Sequence, residues 1–233
     1  MSQLDAARTA VTNDRCSSMR RAPAVSRPRM LPLAALAMVA WWSATGVAIE
    51  IVSIEEHWEL SIGEPDAGSS SPQICMVMSP TGHLDGDYFV FTLNHHTHPV
   101  WAPGGMQLQR WQGDEIVASR VGPSEGVLNR PQEVVRWVQR TKIADGSLIF
   151  EVVSGQSESW GTFGDVGHLR CSVETNLVNL NGYQPAISLE ESGVSFAGNR
   201  VASLVLRKLR WFDPEGHVFE LNAPIDVDAD LDP

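Results

Sequence analysis

Short runs of alternating apolar and polar residues recur from residue 51 onward, and they constrain the fold more than any other feature of the sequence. In one such run Leu148, Phe150 and Val152 share one face, and this period of two is typical of a half-buried β-strand. Turn residues such as Pro103-Gly104-Gly105 and Asp213-Pro214-Glu215-Gly216 separate the runs. The pattern therefore indicates an all-β chain.

Ten strands are predicted, and their number and spacing suit two antiparallel sheets packed face to face. The expected fold is a two-sheet antiparallel β-sandwich of jelly-roll or lectin-like topology, with a barrel as the alternative. The run at 200–212 also fits a helical stripe in part, but Leu206 and Trp211 fall off that stripe. The predicted strands are Ile51–Ile62, Gln73–Ser79, Asp87–Asn94, Met106–Gln112, Glu115–Val121, Glu133–Ile143, Ser147–Val153, His168–Thr175, Arg200–Phe212 and His217–Asn222.

The first 48 residues have the pattern of a signal peptide. An uncharged apolar run, Leu31–Ile49, follows five arginines between residues 15 and 29, and Gly46 and Ala48 supply the small residues of a cleavage site. The alternative is an uncleaved membrane anchor, since the run is about as long as a minimal spanning helix. Cleavage after Ala48 predicts a secreted, periplasmic or cell-envelope protein without a membrane segment. The remainder divides into one domain, 49–225, and an acidic tail, 226–233.

The chain is acidic, with a formal net charge of −11. The signal segment contains six of the 17 basic and two of the 28 acidic residues, so 11 basic and 26 acidic residues remain, a formal charge of −15. Such a surface repels phosphate groups, so nucleic acid is excluded as a partner. The general explanation of this acidity is solubility, and it indicates no specific cationic partner.

Two cysteines follow the signal segment. Cys75 and Cys171 each lie in an alternating apolar run, and an even pair in an oxidising compartment predicts a disulfide between them. Two unrelated buried thiols are the alternative. No Cys/His spacing indicates zinc.

The segment 94–101, Asn-His-His-Thr-His-Pro-Val-Trp, is the best candidate for a metal site. If the preceding strand continues, His96 and His98 point to one face and could chelate a metal. A third ligand is not evident in the sequence, and the alternative is a polar strand end before a proline turn. No other cofactor is expected.

Catalytic motifs do not emerge, so no catalytic residue is assigned. The acidic motif of lectin-fold glucanases and the Gly-x-Ser-x-Gly nucleophile elbow do not occur. Trp101 and Trp160 lie in loop-like stretches, where an indole could stack on a sugar ring, so both are candidate ligand-binding residues. Tryptophans at 111, 137 and 211 lie within strands and are expected to be core.

Three segments carry a loose resemblance to known proteins: Glu158-Ser-Trp-Gly-Thr-Phe-Gly, Leu180-Asn-Gly-Tyr-Gln-Pro and the run 193–206. In these segments the chain resembles uncharacterised secreted β-rich proteins of planctomycete-type bacteria. The resemblance implies export and one sandwich-like domain, and it implies no activity. The rhythm of strands is also similar to that of lectin and glucanase jelly rolls, although the glucanase acids are missing.

The leading functional interpretation is a non-catalytic binding module of the cell envelope, with glycan as the candidate ligand. A polysaccharide-acting hydrolase and a structural envelope protein are the alternatives. A hydrolase needs two acids that converge in a cleft, whereas a binder needs only a complementary face. The sequence does not indicate the oligomeric state.

Overall fold

The computed structural model describes residues 49–63, 72–95, 105–122, 128, 130–165, 167–195, 200–222 and 224–227. Within these residues the chain forms thirteen strands and one α-helix. In chain order they are β1 (Ser53–Ile62), β2 (Gln73–Met78), β3 (Asp87–His95), β4 (Gly105–Gln112), β5 (Glu115–Val121), β6 (Val134–Ala144), β7 (Ser147–Ser157), β8 (Gly161–Phe163), β9 (Arg170–Glu174), α1 (Pro185–Glu191), β10 (Gly193–Ser195), β11 (Val201–Phe212), β12 (Val218–Leu221) and β13 (Ile225–Asp226).

The strands form two antiparallel sheets. The large sheet has eight strands in the order β12-β11-β1-β6-β7-β8, with β13 paired to β11 and β9 paired to β7. The small sheet has five strands in the order β10-β2-β3-β4-β5. The predicted two-sheet antiparallel sandwich is therefore confirmed.

Aromatic side chains from both sheets meet in the core between them. Phe89 on β3 stacks on Phe150 on β7, with ring centroids 5.1 Å apart. Phe91 meets the edge of Trp137 on β6, which in turn stacks on Trp58 of β1. Each of these residues lies on the apolar side of an alternating strand, so the period-two pattern of the sequence creates the core.

All ten predicted strands are present, with small shifts at their ends. The short strands β8, β10 and β13 and the helix α1 were not predicted. Pro185 occupies the first turn of α1, where its missing N–H is not needed. Asp226 in β13 pairs with Val205 in β11, so the large sheet extends into the first residue of the predicted acidic tail.

The predicted disulfide between Cys75 and Cys171 is wrong, because Cys171 is a buried free thiol. Strand alternation explains the error. Cys171 lies in the core between the sheets, whereas Cys75 clusters with Val77, Val90 and Trp111 on the other side of the small sheet. Packed sheets lie about 10 Å apart, beyond the Cα separation of about 7 Å that a disulfide tolerates.

Two predictions concern residues outside the described ranges. The signal peptide, 1–48, lies wholly outside them, as does the tail beyond Val227. In the part of the chain that the structure describes, no helix is long and apolar enough to cross a membrane.

Replacing Phe150 by Ala should lower the free energy of unfolding by about 3–5 kcal/mol, because it removes one of the aromatic contacts that join the two sheets. Guanidinium denaturation followed by tryptophan fluorescence measures the change. The matched control is Val178→Ala, since Val178 is 73% exposed and should shift the stability by less than about 0.5 kcal/mol. Equal effects of the two substitutions would contradict this position of Phe150.

Candidate functional site

The central strand β1 separates two different polar environments. It pairs with β11 on one side and β6 on the other. Ile54, Glu56 and Trp58 face the core between the sheets and are almost fully buried. The intervening side chains of Glu55 and Glu59 therefore point to the outer face of the large sheet.

A row of alternating charges crosses this outer face. Its six members come from six strands, and each is the direct cross-strand partner of the next in the register of the sheet. Opposite charges at facing positions stabilise a sheet. We call this row, together with the ion pairs that Arg136, Lys142, Arg207 and Lys208 form beside it, the charged face. The row is Glu220 (β12), Arg210 (β11), Glu55 (β1), Arg140 (β6), Glu151 (β7) and Arg170 (β9).

Arg140 joins the two most buried carboxylates of the row. Its Nη1 lies 3.3 Å from Glu55 Oε1, and its Nε donates to Glu151 Oε1 at 2.8 Å. The other oxygen of Glu55 accepts from Nη1 of Arg210 at 3.1 Å. Lys142 Nζ lies 2.9 Å from Glu151. Each carboxylate therefore has cations on at least two sides.

Two carboxyl groups of the row stay ionised. The neighbouring imidazole of His57, whose Nε2 lies 3.5 Å from Glu55 Oε2, and the charges of Arg210 and Arg140 lower the pKa of Glu55, although burial opposes them. Burial alone would raise the pKa of Glu151, but hydrogen bonds from Lys142 and Arg140 and their charges hold it below its usual value. Neither group can therefore serve as a general acid near neutral pH.

A second ion-paired cluster lies four residues further along β1, at Glu59. Glu59 accepts hydrogen bonds from Arg207 and, at 2.7 Å, from Nε of Arg136. The hydrogen bond from Arg207, followed by the contribution of Arg136, lowers the pKa of Glu59. Arg136 belongs to β6 and Arg207 to β11, so both neighbours of β1 contribute a cation.

Glu56 lies on the opposite side of β1 and is fully buried. Its Oε1 accepts hydrogen bonds at 2.6 Å from the hydroxyls of Tyr183 and Ser188. Its Oε2 accepts from Trp58 Nε1 at 2.9 Å and from Gln139 Nε2 at 2.7 Å. Tyr183 and Ser188 belong to α1 and the residues before it, so this carboxyl attaches that segment to the large sheet.

Burial raises the pKa of Glu56, and the four hydrogen bonds oppose the rise without cancelling it. Burial and the neighbouring Glu56 also raise the pKa of Tyr183. A raised carboxyl pKa is typical of a general acid, but a catalytic acid must also reach a substrate. The complete burial and four partners of Glu56 assign it a structural role.

The turn between β11 and β12 holds the one group of potential metal ligands found among the described residues. The ligand atoms of Asp213, Glu215 and His217 lie within 4.8 Å of one another. His217 Nδ1 is 2.8 Å from Asp213 Oδ2, and this hydrogen bond raises the pKa of His217. Asp213 also accepts from the backbone N–H of His217 at 2.8 Å, so these contacts close the turn.

The proposed metal ligands His96 and His98 and the candidate binding residue Trp101 lie outside the described residues. The strand that leads to them is irregular. Asn94 has a left-handed φ of 56°, and the register with β4 shifts between Leu93 and His95. The prediction that His96 and His98 share one face assumed a regular strand, and it stays a prediction because both residues lie outside the described ranges.

Trp160 lies in the turn between β7 and β8. It is half-buried and packs against the core between the sheets. Its backbone N–H donates to Ser157 Oγ at 2.8 Å. The indole is therefore part of the packing of the domain, and its role in ligand binding stays a prediction.

The charged face was missed by sequence reasoning. Glu55, Glu56 and Glu59 were visible as a cluster of acids around Trp58, which is unremarkable in an acidic chain. The arginines that pair with Glu55 and Glu59 lie 77 to 155 residues away along the sequence. The available signal was the alternation of charge with apolar residues in both β1 and β6, which predicts that their charged sides coincide if the strands pair.

Replacing Glu56 by Gln should flatten the dependence of stability on pH. Because the folded pKa of Glu56 is raised, the folded state binds more protons than the unfolded state above the ordinary glutamate pKa of about 4.3. Stability due to this group is therefore full below that pH and falls as the pH rises through the folded pKa. The neutral amide removes this fall.

Denaturant unfolding of the wild type and Glu56→Gln between pH 4 and pH 8 tests this expectation. The matched control is Glu190→Gln on α1, where the side chain is exposed. The difference in stability between wild type and Glu56→Gln should change with pH in favour of the variant. Parallel curves for the two proteins would contradict the raised pKa.

Replacing Arg140 by Gln should lower the free energy of unfolding by about 1–2 kcal/mol at neutral pH, since Glu55 and Glu151 lose their shared partner. The loss should shrink on acidification, because carboxyl groups with lowered pKa values contribute stability that disappears as the pH falls through those values. Arg130→Gln is the matched control, since Arg130 pairs with the exposed Glu158 at 3.7 Å. Chemical denaturation at pH 7 and pH 3 measures the stability of both variants. If Arg140→Gln lost the same stability at the two pH values, or no more than Arg130→Gln, the row would not have the stabilising role described.

The comparisons with known proteins show no family. No protein-family model matches the sequence, and no curated protein does. Among solved structures, the chain is similar to a GH131 β-glucanase catalytic domain from Podospora anserina, with 13% identity, a TM-score of 0.28 and coverage of 79% of this chain. The chain spans 64% of that domain's length.

The chain is also similar to scytalido-glutamic peptidase with a transition state analog inhibitor, with 10% identity and a TM-score of 0.26. This match covers 78% of this chain and 80% of the peptidase. TM-scores this low transfer no activity to the chain.

Proposed function

We propose that this chain is an exported, non-catalytic glycan-binding module of the cell envelope and that the charged face is its binding surface. The charge row carries the proposal. It places guanidinium and carboxylate groups at fixed positions on a rigid sheet, which is the kind of element that holds a binding site precisely. Glycans present many hydroxyl groups, and each can donate to a carboxylate or accept from a guanidinium.

The protonation states of the carboxyls favour binding over hydrolysis. A glycosidase needs one carboxyl group with a raised pKa beside a second, ionised one. On the charged face the pKa values of Glu55, Glu59 and Glu151 are all lowered. The raised pKa belongs to Glu56, which no solvent reaches. These properties support a binder in preference to the hydrolase alternative.

The ion pairs of the charged face hold its arginine side chains in place, and this also supports the proposal. The side chains of Arg140 and Arg210 are 28% and 31% exposed, so they are held by the row and still reach solvent. A ligand would meet groups that have already lost their rotational freedom. Pre-organisation of this kind reduces the entropic cost of binding.

The proposed function predicts retention of the protein on a glycan without turnover. The full chain is passed over immobilised polysaccharides of neutral and acidic composition, and released reducing ends are measured in parallel. Arg140→Gln should weaken retention about threefold to tenfold, since it disrupts the centre of the face. Arg130→Gln is the control, and circular dichroism confirms that both variants are folded at the temperature used.

Each outcome has a defined meaning. Retention that weakens in Arg140→Gln and is unchanged in Arg130→Gln supports the charged face. Release of reducing ends that disappears on replacement of a single Glu or Asp would establish the hydrolase instead. Absence of retention on every polysaccharide would overturn the binding role and leave the structural envelope protein as the better interpretation.

A further inference from the structure

We propose that the charged face recognises an acidic glycan through the carboxylate groups of its uronic acid residues. This inference rests on the proposed function and names the class of ligand. It follows from the depth of the charges on the face, from their distribution over the molecule and from the hydrogen-bond donors that remain unused.

The carboxylates and cations of the charged face lie at different depths. The side chains of Glu55, Glu59 and Glu151 are only 8%, 14% and 8% exposed. Their cationic partners rise above them, because lysine and arginine side chains are longer. Arg136 is 65% exposed and Arg170 is 53% exposed. Glu220, at the β12 edge of the row, is the exception with 38% exposure. A ligand that approaches the face over β1, β6 and β7 therefore meets cations first.

The basic residues are concentrated on this face. Of the eleven lysines and arginines among the described residues, seven belong to the charged face: Arg136, Arg140, Lys142, Arg170, Arg207, Lys208 and Arg210.

The acidic residues are distributed in the opposite way. Twenty aspartates and glutamates lie among the described residues, and six of them are on the outer side of the large sheet. Four belong to the charged face, and Glu174 and Asp226 lie at the rim of that face. The remaining fourteen lie elsewhere with only four arginines. The charged face is thus the one broad surface of the described chain on which cations match or exceed acids.

Unused donors remain on the exposed cations. Arg136 uses its Nε for Glu59, and the two Nη groups of a guanidinium can each donate further hydrogen bonds. Lys142 contacts Glu151 through one of its three donors. Because a guanidinium binds a carboxylate in a bidentate fashion, these groups suit the carboxylate of a uronic acid.

The spacing of the cations favours a linear polymer over a single small anion. Arg136 and Arg207 stand on the two strands that flank β1, and neighbouring strands lie about 4.8 Å apart. Arg136, Arg140 and Lys142 follow one another along β6, where alternate residues are separated by about 6.8 Å. A chain with repeated carboxylates can reach several of these cations at once, and multivalent contact increases avidity.

The experiment compares polygalacturonate with its fully methyl-esterified form, which has the same sugar chain without the charge. Binding to the full chain is measured by calorimetry or by retention in low salt. The wild type should bind polygalacturonate at least tenfold more tightly than the ester, and raising the salt to about 0.5 M should weaken the binding, since exposed charges are screened. The variant Arg136→Gln/Arg170→Gln should lose about fivefold to tenfold of the affinity for polygalacturonate.

This variant should fold normally, because Glu59 keeps Arg207 and Glu151 keeps Arg140 and Lys142. Arg136→Lys/Arg170→Lys, which retains the charge, should recover part of the binding. Arg130→Gln is the matched control, and its affinity should equal that of the wild type. Thermal unfolding of each variant shows whether a loss of binding accompanies a loss of structure.

The outcomes separate this inference from the proposed function. Equal binding of the acid and the ester, or of a neutral glucan alone, would overturn the inference and leave glycan binding intact. Binding of neither polymer and of no other glycan would overturn both. Equal affinity for polygalacturonate and for single-stranded DNA would show that the face binds polyanions in general. Dimerisation that blocks the face would show that a second copy of the chain occupies it. Either result would also overturn the inference.

Discussion

The pairing of β1 between β6 and β11 is the constraint on which both polar environments of the domain depend. Because successive side chains of a strand point to opposite sides, this pairing places Glu55 and Glu56 on opposite sides of the large sheet. Glu55 pairs with the cations of the charge row at the surface, whereas Glu56 lies in the core and accepts hydrogen bonds from four neutral donors. Adjacent residues of the same type thereby have pKa values shifted in opposite directions.

The two environments have different physical roles. The core carboxyl attaches the segment around α1 to the large sheet, and its hydrogen bonds give this attachment a defined geometry. The surface row keeps its carboxylates ionised and its cations in place, which creates a pre-organised polar surface. A change of register by one residue would exchange the two sides and remove both features. The function proposed for the chain is therefore linked to the same alternation that forms its core.

Much of the fold was predictable because it depends on local patterns. The alternation of Leu148, Phe150 and Val152 predicted both the strand β7 and its buried side, and all ten predicted strands occur in the structure. The short strands β8, β10 and β13 have two or three residues each, which is too short for a period of two to be recognised. Helix α1 has seven residues and no side-chain cap, so Pro185 in its first turn was too weak a signal to indicate a helix.

The site was less predictable because it depends on pairing over long sequence distances. Glu55 and Arg210 are 155 residues apart, and only the strand order brings them together. The prediction of a Cys75–Cys171 disulfide failed for the same reason, since each cysteine was placed correctly in a strand but the side it faces depends on the sheet. His96 and His98 were assigned to one face by extending a regular strand. The strand β3 continues through Asn94 to His95 with a shift of register, and the two histidines themselves lie outside the described residues.

The central claim is that the two sides of β1 give neighbouring carboxyl groups opposite protonation behaviour. The most direct test is a carbon-detected NMR titration of the glutamate carboxyl groups, assigned with Glu55→Gln, Glu56→Gln and Glu151→Gln. We expect Glu55 and Glu151 to titrate below the ordinary glutamate pKa of about 4.3 and Glu56 to titrate above it. Titration of all three groups near the ordinary value, or of Glu56 below Glu55, would contradict the charge row and the buried carboxyl together.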